Sequence, residues 1–138
     1  MRRISIGIAI VALCGWTGGC SVSTAEPSPG PVVGPPGTIT VDWTINNSTD
    51  PNQCIQGDAT HIDIVVTAPD GSTVGDFQQV CEDGVTTIGL APGGYAADAA
   101  LLDSAGADRT TRLSIDPFVV HSDVDLSISI DFPASSFR

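Results

Sequence analysis

The 138-residue sequence predicts an all-β protein built on a single antiparallel β-sandwich of about seven strands. Three observations carry that prediction. Apolar and polar residues alternate with period two in several runs, most cleanly over 123–132. Turn-forming residues punctuate those runs at short intervals. No segment keeps a 3.6-residue apolar period with caps; 96–102 is the one ambiguous run, and its flanking turns favour strand.

Residues 1–19 stand outside this pattern and read as an export signal. Arg2 and Arg3 form a positive leader to the apolar stretch 4–16. That stretch falls short of the roughly 20 apolar residues a bilayer-spanning helix needs. Thr17-Gly18-Gly19-Cys20 ends it with small residues before a cysteine. This tail resembles the lipobox of bacterial lipoproteins. The resemblance implies a diacylglycerol on the Cys20 sulfur (a palmitate-type anchor), cleavage before Cys20 and a membrane partner reached through that lipid. Thr17 stands where leucine is usual, and the competing acceptor Cys14 follows the bulky Leu13. The alternative is an ordinary cleaved signal near Thr24-Ala25, a poor Ala-x-Ala-like site. Ser21 in place of aspartate implies outer-membrane sorting in a Gram-negative envelope. The expected location is therefore the cell envelope.

Residues 20–37 are rich in proline and glycine and read as a disordered tether. At ~3.1 Å per residue its reach is at most about 50 Å. Residues 38–138 make the folded domain. In chain order, strands are expected over 38–45, 61–67, 72–80, 84–90, 94–102, 109–121 and 123–132, with 109–121 open to division at Pro117. Pro69-Asp70-Gly71, Pro92-Gly93-Gly94 and Asp103-Ser104-Ala105-Gly106 read as hairpin turns. Cys54 and Cys81, an even pair in an exported chain, are expected to form a disulfide worth roughly 3.5 kcal/mol. Trp43 and Tyr95 are expected in the core.

Leu90-Ala91-Pro92-Gly93-Gly94-Tyr95 with Leu101-Leu102-Asp103-x-x-Gly106 resembles the corner of transthyretin-like, carboxypeptidase-regulatory-like domains. It is also similar to the tyrosine region of fibronectin type III modules. The resemblance implies an Ig-like or transthyretin-like sandwich in which the Tyr95 hydroxyl bonds back to its own corner. Trp43 precedes both cysteines, unlike a true immunoglobulin domain. The whole arrangement is also similar to small bacterial lipoproteins of no assigned activity.

The net charge of −11, with no lysine and only Arg109, Arg112 and Arg138 basic beyond the leader, argues against nucleic acid as a partner. Only two histidines are present, and no Gly-x-Ser-x-Gly elbow or phosphate-cradling loop accompanies them, so no enzymatic activity and no cofactor are expected. His61-x-Asp63 and His121-x-Asp123-x-Asp125 would each put imidazole and carboxylate on one strand face, which is the pattern a divalent-metal site needs. The same pattern is what the wet face of a half-buried strand looks like, and that reading is preferred. Asp103-x-x-Gly106-x-Asp108 lacks the spacing of a calcium loop and reads as a turn. The expected role is a non-catalytic binding or adhesion module whose partner is an envelope protein or glycan. A structural component of an envelope assembly and a divalent-metal-binding protein are the alternatives.

Overall fold

The computed structural model describes residues 34–138. The expected export signal, Cys20 and the expected tether up to residue 33 lie outside the described residues. Seven strands form: β1 (Gly37–Ile45), β2 (His61–Thr67), β3 (Thr73–Val80), β4 (Val85–Leu90), β5 (Gly93–Leu102), β6 (Leu113–Val120) and β7 (Asp125–Phe132). They make an all-β sandwich of a three-stranded sheet, order β4-β1-β7, and a four-stranded sheet, order β3-β2-β5-β6.

Strand β1 shows how alternation becomes packing. Ile39, Val41, Trp43 and Ile45 are buried, while Thr38, Thr40, Asp42 and Thr44 point outward. Across the core they meet Ile62, Ile64 and Val66 of β2 and Ala97, Ala99 and Leu101 of β5. The outward residues are cross-linked to β7. Thr38 and Thr40 donate to Asp125 at 2.6 and 3.0 Å, Thr44 to Asp131 at 2.7 Å, and Ser129 to Asp42 at 2.9 Å. On β7, Asp125 and Asp131 thus accept from β1 while Ser129 donates to it, each pair contributing a few tenths of a kcal/mol to about 1.

The structure corrects the sequence reading at four points. The sandwich is not wholly antiparallel, because β7, the last strand, lies parallel to β1, the first. Pro92-Gly93-Gly94 is not a hairpin: β4 pairs with β1 while β5 pairs with β2, so this turn carries the chain between sheets. The 109–121 run is one strand from Leu113. Pro117 is absorbed by a bulge, where Phe118 faces Tyr95 but Ile115 faces Ala97, on an edge strand that needs no donor there. A short helix, α1 (Asn52–Gln56), follows β1; five residues cannot show a helical period.

Other expectations hold. The Pro69–Gly71 turn joins β2 to β3 as a hairpin, with Gly71 at φ +84° and Asp70 accepting from the Ser72 backbone at 2.9 Å. The Cys54–Cys81 disulfide is present, its Cα atoms 6.0 Å apart. Trp43 is core, and its Nε1 donates to the Cys81 carbonyl at 2.9 Å. Tyr95 is half-buried rather than fully buried, because its hydroxyl must reach the Ala91 carbonyl at 2.7 Å on the rim.

Replacing both Cys54 and Cys81 by serine is expected to lower the unfolding free energy by about 3 kcal/mol. Urea denaturation of the oxidised chain against the double variant measures this, and matching midpoints would show that the bond adds nothing.

Candidate functional site

The two ends of the sandwich differ in chemistry. At one, Gly34 brings the chain in against Ser122 and Pro92, beside the turns β2–β3, β4–β5 and β6–β7. At the other lie α1, the disulfide, the long 103–112 loop and residues 133–138. All three arginines downstream of the tether belong to this second end or its margin.

A cleft of about 290 Å³ opens there. Asn46 reaches it from a tight turn after β1, where Asn46 and Asn47 take φ of 52° and 58° and Ile45 bridges to Ser48. Gln53 and Gln56, three apart on α1, contribute two side-chain amides. Gly57 closes α1 against the ring of Phe137. A Cβ at Gly57 would come within 2.3 Å of that ring, so the close approach requires glycine. Phe137 is held by its bridge to Thr110 and by the Arg138 backbone N–H, which donates to the Arg109 carbonyl at 3.0 Å.

Arg109 forms the floor. Its Nε donates to the Gly57 carbonyl at 3.3 Å and stands 3.9 Å from Asp58, whose side chain is 78% exposed. Among the described residues, no hydrogen bond engages the terminal nitrogens of Arg109 or the side-chain amides of Asn46, Gln53 and Gln56.

A second cluster occupies the outer face of the four-stranded sheet. Asp63 of β2 is buried beside its cross-strand neighbour Ala100, and Arg112 bonds its Oδ2. Arg112 also bonds Asp98 at 2.7 Å and approaches Asp108 at 3.8 Å. Hydrogen bonds to Asp63 and then Asp98 raise the guanidinium above its ordinary range, so it stays charged. The buried Oδ1 of Asp63 has no donor among the described residues. Asp76 faces it. Its hydrogen bond with Asp63, then burial, then the Asp63 charge push Asp76 above the usual carboxylate range. Burial works to raise Asp63 as well, but bonds from Asp76 and Arg112, with the Arg112 charge, outweigh it and hold Asp63 low.

The sequence-predicted metal candidates are not brought together. His61 opens β2 and pairs with Leu102, whereas His121 follows β6, whose Val120 pairs with Gly93. The whole of β5, about 30 Å at ~3.3 Å per residue, separates them. His61 and Asp63 do share a face, but Asp63 is committed to Arg112. His121, Asp123 and Asp125 do not share a strand: β6 ends at Val120, Asp123 sits in a turn at φ 57°, and Asp125, the first residue of β7, accepts from Thr38 and Thr40. No group of three or more His, Cys, Asp or Glu among the described residues is placed to hold a metal ion. Asp103 is a turn residue, accepting from the Ala105 and Ala107 backbones at 2.8 and 2.9 Å.

The cleft was not legible beforehand. Its residues come from positions 45–46, 53, 56–57, 109, 134 and 137, and no local motif links them. The one available signal was scarcity, since Arg109 is one of three cations beyond the leader.

No protein-family model and no curated protein matches the chain. Among solved structures, a leucine-rich repeat protein from Bacteroides thetaiotaomicron VPI-5482 is similar over 72% of this chain and 12% of that one, at 18% identity and a TM-score of 0.46. Similarity at that level supports no shared role.

Asp76→Asn is expected to stabilise the domain at pH 7, because it removes a like charge and supplies a permanent donor toward Asp63. A carboxyl raised in the fold favours folding as pH falls toward and below its pKa, and opposes it above. Asp63, held low, acts in the other sense: its stabilisation is complete above the ordinary carboxylate range and is lost as pH falls through its lowered value. The Tm gain of Asp76→Asn should therefore be about 2–5 °C at pH 7 and shrink as Asp76 takes up its proton in the unaltered chain. Melting curves from pH 7 to pH 4 test this; a gain that does not change with pH would show that ionisation of Asp76 does not oppose folding.

Proposed function

We propose that the chain is a lipid-anchored protein of the cell envelope whose β-sandwich binds a ligand without catalysis, at the end remote from its anchor. One observation carries the reading. The cleft with unengaged polar side chains lies opposite the end where Gly34 joins the domain to the tether. An anchor at Cys20 would enter the domain from the end of Gly34 and leave the residues of the cleft clear of that junction. The Cys54–Cys81 disulfide supports export, since such bonds persist in oxidising compartments. Ser21 favours the outer membrane in a Gram-negative host. The acidic surface disfavours nucleic acid and leaves an envelope glycan or protein as the partner class.

A second reading, a component of an envelope assembly, is favoured by a different feature. The edge strands β6 and β7 lie on the same side of the sandwich, with a groove of about 380 Å³ between them. Ile115, Phe118, Leu126, Ile128 and Ile130 line it and are only partly buried. Sedimentation of the detergent-solubilised chain separates the two readings. A monomer fits a binding module, and a stable complex fits an assembly component.

Cys20→Ala is expected to move the protein from the membrane pellet to the soluble fraction and to abolish acyl mass on the mature N-terminus. Fractionation with intact-mass measurement checks both, and a variant that stayed in the pellet would refute the anchor.

A further inference from the structure

We infer that the cleft around Arg109 binds a carboxylate-bearing sugar, a uronic-acid unit of a glycan. This rests on reading the sandwich as a binding module and is independent of the lipid anchor.

Arg109 sets the charge of the ligand. Arg112 is already surrounded by Asp63, Asp98 and Asp108. Arg109 instead spends only its Nε, on Gly57, and its side chain is 33% exposed. That bond restrains the guanidinium of Arg109, which lines the cleft, and the two terminal nitrogens left without a bond among the described residues are a fork that matches the two oxygens of a carboxylate. The backbone beneath is fixed too: Arg109 N–H donates to the Leu101 carbonyl at 2.7 Å, and the buried Thr110 hydroxyl accepts from the Leu101 N–H at 3.0 Å.

The remaining walls set the ligand's body. Three side-chain amides, from Asn46, Gln53 and Gln56, each offer both donor and acceptor, as sugar hydroxyls do. Phe137 supplies one apolar wall, suited to the C–H face of a pyranose ring. The volume of about 290 Å³ is at the small end for ligand sites, room for one ring rather than a wrapped chain. The net charge of −11 repels polyanions, so a single carboxylate fits and a polyphosphate or polysulfated chain does not. A peptide is disfavoured by the architecture. Strand addition needs a free sheet edge and terminal-carboxylate capture uses a nest of backbone N–H groups. This cleft presents side chains from α1, two loops and the segment after β7.

The test uses the full-length chain in detergent, titrated calorimetrically with the methyl glycosides of glucuronic and galacturonic acid. Methyl glucoside, methyl galactoside and a short peptide with a free C-terminal carboxylate serve as comparators. At least one uronide is expected to bind tenfold or more tighter than its neutral parent. Arg109→Gln should erase that ratio, with its melting curve confirming the fold. Arg109→Lys, which keeps charge but loses the fork, should reduce the ratio and serves if Arg109→Gln does not fold. Gln53→Ala with Gln56→Ala should weaken acidic and neutral sugars alike. Equal binding of uronide and neutral sugar, no uronide binding at about 50 mM, or tighter binding of the peptide would each overturn the assignment. Failure of Cys20 acylation would leave these titrations unchanged, so the two readings fail separately.

Discussion

The bond between Cys54 and Cys81 is the constraint on which one whole end of this domain depends. Helix α1 has five residues, no side-chain cap, and Cys54 as its only buried member. A helix of that length has no stability of its own, because nucleation costs more than one turn of hydrogen bonds returns. Its position is a property of the cross-link. Cys81 in turn is tied to both sheets: its carbonyl takes the Trp43 Nε1 proton, and its N–H donates to the Thr60 carbonyl at 2.9 Å. One residue therefore joins β1, the approach to β2 and α1. Two of the cleft's three amide residues, Gln53 and Gln56, ride on the helix so held, and their backbone positions are set before any ligand arrives.

The sheets themselves need less. Their inner faces are mostly aliphatic, with Trp43 and Phe132 as the large members and Ala97 and Ala99 as the small ones on β5. The outer faces are satisfied by hydroxyl–carboxylate pairs on the three-stranded sheet and by Arg112 on the four-stranded one. Asp63 is the costly member. Its side chain is 5% exposed, and its charge is compensated by the bond from Asp76 and by the bond and charge of Arg112. The unpartnered Oδ1 of Asp63 is what that compromise leaves.

What the sequence disclosed and what it withheld follow from the range of each interaction. Alternation is a property of neighbours, so Ile39 to Ile45 and Leu126 to Phe132 announced their strands without help. The Asp70-Gly71 turn did the same through φ and a side-chain bond. The parallel pairing of β1 with β7 depends on residues 87 positions apart, such as Thr38 and Asp125, and no local rule reports it. Period two also cannot say which sheet a strand joins, which is why the Pro92 turn reads as a hairpin and is a crossover. His61 and His121 looked alike in spacing, yet strand length, not spacing, decides whether two ends of a β-sheet can share an ion.

Arg109 and Arg112 show most directly how position converts one residue type into two roles. They are three apart in the same loop of an acidic chain, and composition treats them as equivalent. Arg112 lies where β6 begins, over a carboxylate that cannot reach water, and removing it would leave a buried charge uncompensated at a cost of about 3–5 kcal/mol. Every strong contact it makes is internal. Arg109 lies one turn earlier, pinned by Leu101 and Gly57, with only the exposed Asp58 nearby at 3.9 Å. An ion pair so loose and so wet is worth little, and a ligand carboxylate would displace it at small cost. The fold thus consumes one arginine to balance its own buried acid and leaves the other oriented and unneutralised. In a domain this acidic, that is a place where an anion would meet attraction rather than repulsion.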